Sequence, residues 1–175
     1  MRDALVAGLT LNYLNERCDR VKMANIAQTV NVLQALIFTE EEKMLLTPTY
    51  YIYEMYKVHQ DAVLLPLEMD SPHYSLGSLS LPSVQASASR DKDGKIHISI
   101  VNIDPVNARE TFIRLIGSKA GELSATILSS AEMNSHNTFE NPREVVLKEF
   151  EGVNSKGDRV TLVIPPHSVI MLEIN

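Results

Sequence analysis

Asp19-Arg20-Val21-Lys22-Met23-Ala24-Asn25-Ile26-Ala27-Gln28-Thr29-Val30-Asn31-Val32-Leu33-Gln34-Ala35-Leu36 is the stretch whose reading decides the fold. It is apolar enough to be buried, yet Asn25, Gln28, Asn31 and Gln34 interrupt it. A buried amide costs a few kcal/mol unless it finds a hydrogen-bond partner. These side chains are therefore either satisfied by neighbouring backbone or aimed at a polar ligand. Residues 21–28 read as a short buried strand. Before it, Leu5, Val6, Leu9, Tyr13 and Leu14 fall at helical spacing and predict a helix over 3–17. Ala4, Ala7 and Leu11 make that helix apolar nearly all round, as in one buried on most sides. After it, Thr47-Pro48 starts a second helix, with Thr as N-cap and Pro as first helical residue, running to about Gln60. A strand flanked by helices is the grammar of a β/α repeat, and in β/α barrels the chemistry sits at the carboxyl ends of strands. Gln28, at the end of the expected strand, is thus the candidate ligand residue. Asn25 and Asn31 read as structural amides.

Glu40-Glu41-Glu42-Lys43 reads as a solvated loop. The pattern changes after Pro66, where Ser71-Pro72, Gly77 and Leu81-Pro82 punctuate a loop-rich approach. The period then becomes two. Val84, Ala86 and Ala88 alternate with Gln85, Ser87 and Ser89; Asp91-Lys92-Asp93-Gly94 is a hairpin turn; Ile96, Ile98 and Ile100 alternate with His97 and Ser99. Further strands are expected near 110–116, 123–130, 145–151, 159–164 and 169–174. Seven or eight short antiparallel strands suggest a sandwich or jelly roll. The expected fold is an α+β fragment: a helical, β/α remnant of a (β/α)8 barrel over 1–64, then a jelly-roll-like antiparallel β-sandwich over 65–175.

The 175 residues carry a formal charge of −6 with no basic run, which argues against a phosphate-backbone partner. A hydrophobic fraction of 45% with 22% charged residues is ordinary globular composition. One cysteine, Cys18, excludes an intramolecular disulfide framework. The apolar run Ala4–Leu11 is too short to cross a bilayer and has no small-residue cleavage site behind it. No membrane partner is expected, and localisation is unreadable. The five histidines are scattered, with no pair at helical metal spacing. There is no Gly-rich phosphate loop, nucleophile elbow or paired-cysteine motif. No metal and no cofactor is expected. Tyr50, Tyr51, Tyr53 and Tyr56 are expected to pack the second helix against its neighbours rather than stack on a ligand. The polar segment Asn134–Pro142 could contact a ligand or reach back to the N-terminal part, but the favoured reading is a loop pinned by its own Asn and Pro turn chemistry.

Three stretches carry a resemblance. Arg2-Asp3-Ala4-Leu5-Val6-Ala7-Gly8, the run from Asp19 to Val32, and Thr47-Pro48-Thr49-Tyr50 continuing to Met55-Tyr56-Lys57-Val58-His59-Gln60-Asp61-Ala62 resemble the end of the catalytic barrel of family 51 glycoside hydrolases, the α-L-arabinofuranosidases. Asn134-Ser135-His136-Asn137-Thr138-Phe139-Glu140-Asn141-Pro142 and Pro165-Pro166-His167-Ser168-Val169 resemble that family's C-terminal sandwich. The resemblance implies a parent that releases terminal arabinofuranosyl groups with retention. It also implies that Gln28 matches the family's substrate-binding glutamine. Retaining glycosidases need two carboxyl groups about 5 Å apart. No glutamate here matches either catalytic motif, and the family's pair would precede residue 1. No catalytic residue is therefore expected in this chain, and the chain alone is expected to be inactive. The implied partners are the missing N-terminal barrel and, through the parent, an arabinose-containing polysaccharide or oligosaccharide. An isolated strand over 21–28 would have two unpaired edges, so the segment is expected to leave strand geometry, collapse onto the sandwich or pair with a second copy as a homo-oligomer. The alternative is a non-catalytic carbohydrate-binding or structural β-sandwich module. Two further barrel glutamates encoded upstream of Met1 would separate the two.

Overall fold

The computed structural model describes residues 1–27 and 29–175. Among the described residues two α-helices, α1 (Arg2–Asn15) and α2 (Pro48–Tyr56), accompany thirteen short strands. In chain order these are β1 (Ile37–Glu40), β2 (Lys43–Leu46), β3 (Val63–Leu65), β4 (His73–Leu76), β5 (Leu79–Pro82), β6 (Val84–Arg90) and β7 (Ile96–Asn102). Then come β8 (Arg109–Arg114), β9 (Leu123–Leu128), β10 (Lys148–Glu149), β11 (Val153–Lys156), β12 (Arg159–Ile164) and β13 (Ser168–Ile174). A six-stranded antiparallel sheet has the order β10-β9-β13-β7-β6-β3, and a three-stranded sheet has the order β11-β12-β8.

The period-two pattern decides how these sheets pack. Ala86, Ala88, Ile96, Ile98, Ile100, Ile170 and Leu172 point to the three-stranded sheet and meet Val160, Leu162 and Ile164. Each fully buried Ile or Leu contributes roughly 1.5–3 kcal/mol. The two sheets form the expected β-sandwich. The β6–β7 hairpin is turned by Asp91, whose carboxylate accepts from the amides of Asp93 and Lys95, both at 2.9 Å. Gly94, at φ +88°, supplies the left-handed position.

The other face of the six-stranded sheet carries a third layer, the helices. Ala4, Leu5, Ile52, Met55 and Tyr56 pack there on Val101, Leu128, Val169 and Met171. Gly8 lets α1 come close: a Cβ at that position would lie 3.1 Å from Val101 Cγ2. Ser87, Ser89, His97 and Ser99, polar alternates of β6 and β7, are therefore buried as well. Asn12 of α1 accepts from Ser99 at 2.6 Å and from Ser87 at 3.2 Å. His59 lies between the hydroxyls of Ser89 at 2.7 Å and Ser99 at 3.0 Å.

Four expectations are corrected. Val21–Ile26 forms no strand and is largely exposed, which corrects the buried-strand reading and agrees with the expectation that the segment leaves strand geometry. A strand is held by its neighbours, and no described residue pairs with this segment. The helix at 3–17 is buried on one face only: Val6 and Tyr13 are 58% and 53% exposed. Glu40–Lys43 is not a free loop but the turn of a hairpin joining β1 to β2, with Glu41 at φ +52°. The strand expected over 145–151 shrinks to β10, while Val145 is fully buried in the interlayer core.

Candidate functional site

The candidate site is the segment after α1, where the sequence places its amides. Arg17 to Val21 closes in a turn, with the Val21 amide on the Arg17 carbonyl at 2.8 Å. The chain then runs irregularly past Asn25 to Ile26. Gln28, the one candidate binding residue, lies outside the described residues. Its successor is tightly held: the Thr29 carbonyl accepts from the amides of Leu36 at 3.0 Å and Ile37 at 3.1 Å. Val30 makes a parallel bridge to Ile37.

Asn31 is a structural amide, as expected. Its Nδ2 donates to Thr39 Oγ1 at 2.8 Å and its Oδ1 accepts from the Thr39 amide at 2.7 Å. The residue takes φ +54°, a left-handed conformation that Asn tolerates better than most. Asn25 instead lines a cleft of about 190 Å³ between α1 and α2, together with Thr10, Gln34, Thr49 and Tyr53. A larger cleft of about 290 Å³ lies between α1 and the β4–β5 hairpin. Leu5, Val6, Leu9, Leu76, Leu79 and Leu81 line it, and such walls offer a sugar almost no hydrogen bonds.

Thr47 caps α2 as expected, its hydroxyl accepting from the Tyr50 amide at 3.4 Å. Of the α2 tyrosines, Tyr56 is buried and donates to the Gly8 carbonyl at 3.1 Å. Burial raises its pKa. Tyr51 packs on the same core, edge-on to Tyr50. Packing is thus the role of Tyr51 and Tyr56.

The Asn134–Pro142 loop does more than turn on itself. Asn137 accepts from the Val145 amide at 2.7 Å and donates to the Val145 carbonyl at 2.9 Å. Its second N–H reaches the Leu46 carbonyl at 2.8 Å, 91 residues away in sequence. The sequence signal was present, an Asn, His and Phe in one polar loop, but spacing alone does not say what such a loop touches.

Every carboxyl group with a displaced pKa is displaced downward. The His97 imidazole beside Asp91 lowers that carboxyl, and the Arg114 guanidinium lowers Asp158. At Asp104, burial pushes up. The amides of Asn107 and Val106, with the Asn107 side chain and Arg109, outweigh it and hold the carboxyl at about 2. None of these is a proton donor at neutral pH. Burial, with neighbouring His97 second, lowers His59 to about 4. Among the described residues, no group of three or more His, Cys, Asp or Glu side chains is placed to hold a metal ion.

The model of the α-L-arabinofuranosidase C-terminal domain matches residues 1–168. An intracellular exo-α-L-arabinofuranosidase of Bacteroides ovatus is 42% identical over 175 residues, covering 99% of this chain and 34% of that protein. The crystal structure of a GH51 arabinofuranosidase from Xanthomonas axonopodis pv. citri superposes with a TM-score of 0.96 at 38% identity, covering 99% of this chain and 35% of the other. A thermostable GH51 α-L-arabinofuranosidase from Thermotoga petrophila gives 0.86 at 27% identity, covering 99% and 38%. The chain spans a quarter to a third of the length of the curated relatives it matches over nearly all its residues. The superposition includes the helices, so their seat on the sheet is shared with a longer chain and is not a local collapse.

Proposed function

This chain belongs to the family of α-L-arabinofuranosidase C-terminal domains, and from that premise we propose that it is the C-terminal part of a retaining glycoside hydrolase. The parent would release terminal α-L-arabinofuranosyl residues from arabinose-containing polysaccharides or oligosaccharides. The observation that carries this is the family match over residues 1–168. In this proposal residues 1–64 are the last β/α unit of the catalytic barrel and residues 65–175 are the accessory, jelly-roll-like sandwich. The barrel supplies the two glutamates, as nucleophile and as acid/base. Residues 21–28 become a barrel strand once strands of the parent lie on both sides. The exposed apolar side chains of Val6, Tyr13, Met23 and Leu33 support a further covering layer. Association of the parent into a homo-oligomer belongs to the same proposal.

Gln28 is the residue of this chain proposed to touch substrate. An amide both donates and accepts, which suits a sugar hydroxyl that does the same. The test is Gln28→Ala in the full-length parent, with steady-state kinetics on an aryl α-L-arabinofuranoside and a melting curve. A lost hydrogen bond of about 1–3 kcal/mol lowers kcat/KM roughly five- to 150-fold, with the melting temperature unchanged. Early melting, with activity falling only in proportion to the folded fraction, would make Gln28 structural.

A further inference from the structure

We propose that Asn137, on the sandwich, is a positioning residue for the substrate-binding segment: its amide holds the backbone beside Gln28 through three hydrogen bonds in series. The proposal rests on the assignment of Gln28 made above.

The path is continuous. Asn137 Nδ2 donates to the Leu46 carbonyl at 2.8 Å. That carbonyl shares a peptide group with the Thr47 amide, which donates to the Leu36 carbonyl at 3.0 Å. The Leu36 carbonyl shares a peptide group with the Ile37 amide, which donates to the Thr29 carbonyl at 3.1 Å. Thr29 follows Gln28 directly. Acceptance at one end of a peptide group strengthens donation at the other, so bonds in such a series support one another.

Both ends are fixed. At the sandwich end, Asn137 is 6% exposed, and all three of its hydrogen bonds go to main chain. Val145, which holds it, is fully buried under the helices. At the other end, the Thr47 hydroxyl donates to the Ala35 carbonyl at 3.0 Å and Asn31 clamps Thr39. Asn31 and Gln34 both take positive φ, at +54° and +61°. Such conformations persist where the surroundings over-determine them, and the Thr29 bonds to Leu36 and Ile37 close the loop that holds both.

The first test is amide hydrogen exchange on the 175-residue chain. Asn137→Ala is expected to speed exchange at Leu36, Ile37 and Thr47 while β7 and β13 stay protected. Unchanged rates at those three amides would overturn the link. The second test is kinetic, in the full-length parent. Asn137→Ala is expected to raise KM about three- to tenfold, the range of one net hydrogen bond, with kcat within about twofold. Gln28→Ala and Gln28→Ala/Asn137→Ala are expected to share the same KM, because both act through one side chain. A fall in kcat at constant KM, or effects that multiply in the double variant, would reduce Asn137 to a stability role and overturn the proposal. Should Asn137→Ala not fold, Asn137→Asp, which keeps the acceptor for the Val145 amide and removes the donor to the Leu46 carbonyl, makes the same KM prediction. Should Gln28→Ala leave KM and kcat unchanged, the assignment of Gln28 falls and the proposal with it. The exchange result then still separates that failure from a broken path.

Discussion

Acid should loosen the helix layer through His59, and the sign follows from its surroundings. Unfolded, the imidazole titrates near 6.5; folded, burial and then the neighbouring His97 hold it at about 4. The folded state therefore keeps His59 neutral, flanked by the Ser89 and Ser99 hydroxyls. Below pH 6.5 the unfolded chain takes up a proton that the folded chain refuses, so stability falls as pH falls and levels off below about 4. The gap is worth at most about 3 kcal/mol at 1.36 kcal/mol per pH unit, and residual solvent contact lowers it to about 2. The nearby charged groups, Asp91 and Glu173 against His97 and Lys95 beside Glu173, lie at one end of the central strands β7 and β13 and in the turn before β7. Asp91 is held low, so its contribution is lost only below the usual carboxylate range. Urea unfolding from pH 7.5 to 4.5 should show a falling midpoint, and His59→Gln should flatten that slope. A variant as acid-sensitive as the parent chain would refute the reasoning.

Three substitutions test the packing. Gly8→Val drives two methyl groups toward Val101 and Tyr56 and should cost about 1–3 kcal/mol in thermal unfolding. Ile164→Ala empties a fully buried site between the sheets and should cost about 2–5 kcal/mol in urea. Asp104→Ala leaves the half-buried Arg109 and the amides of Val106 and Asn107 without their acceptor. It should cost about 3 kcal/mol and remove a stabilisation that Asp104 loses only as pH falls from 3.8 toward about 2.

Elements that carry their own signals were legible. Thr47-Pro48 fixed the start of α2, because a cap and a preset φ act within one turn. Ile96, Ile98 and Ile100 announced β7 by alternation, although alternation could not say that helices would cover Ser99 and His97 on its polar face. Glu41-Glu42 hid the β1–β2 hairpin, since a tight turn usually shows Asn or Gly at positive φ and here Glu41 takes it. Residues 21–28 have the composition of a strand, but a strand also needs neighbours, and none of the described residues supplies them to 21–26. Asn31 was legible as structural. Gln28 was singled out by its place in an apolar run, and its expected role came from resemblance. A reach of the Asn134–Pro142 loop back to the N-terminal part is one reading of its polar residues, but nothing in the sequence names the Asn137 partner at Leu46, which is remote in sequence.

The most direct test compares the 175-residue chain with the full-length protein encoded by the same reading frame, on an aryl α-L-arabinofuranoside, with the anomer of the released sugar followed by NMR. Hydrolysis with retention is expected of the full-length protein and none of the chain alone, because the proposed nucleophile and acid/base glutamates would both belong to the barrel. Turnover by the isolated chain at a rate near that of the full-length enzyme would contradict it, as would a full-length protein that binds arabinan without cleaving it.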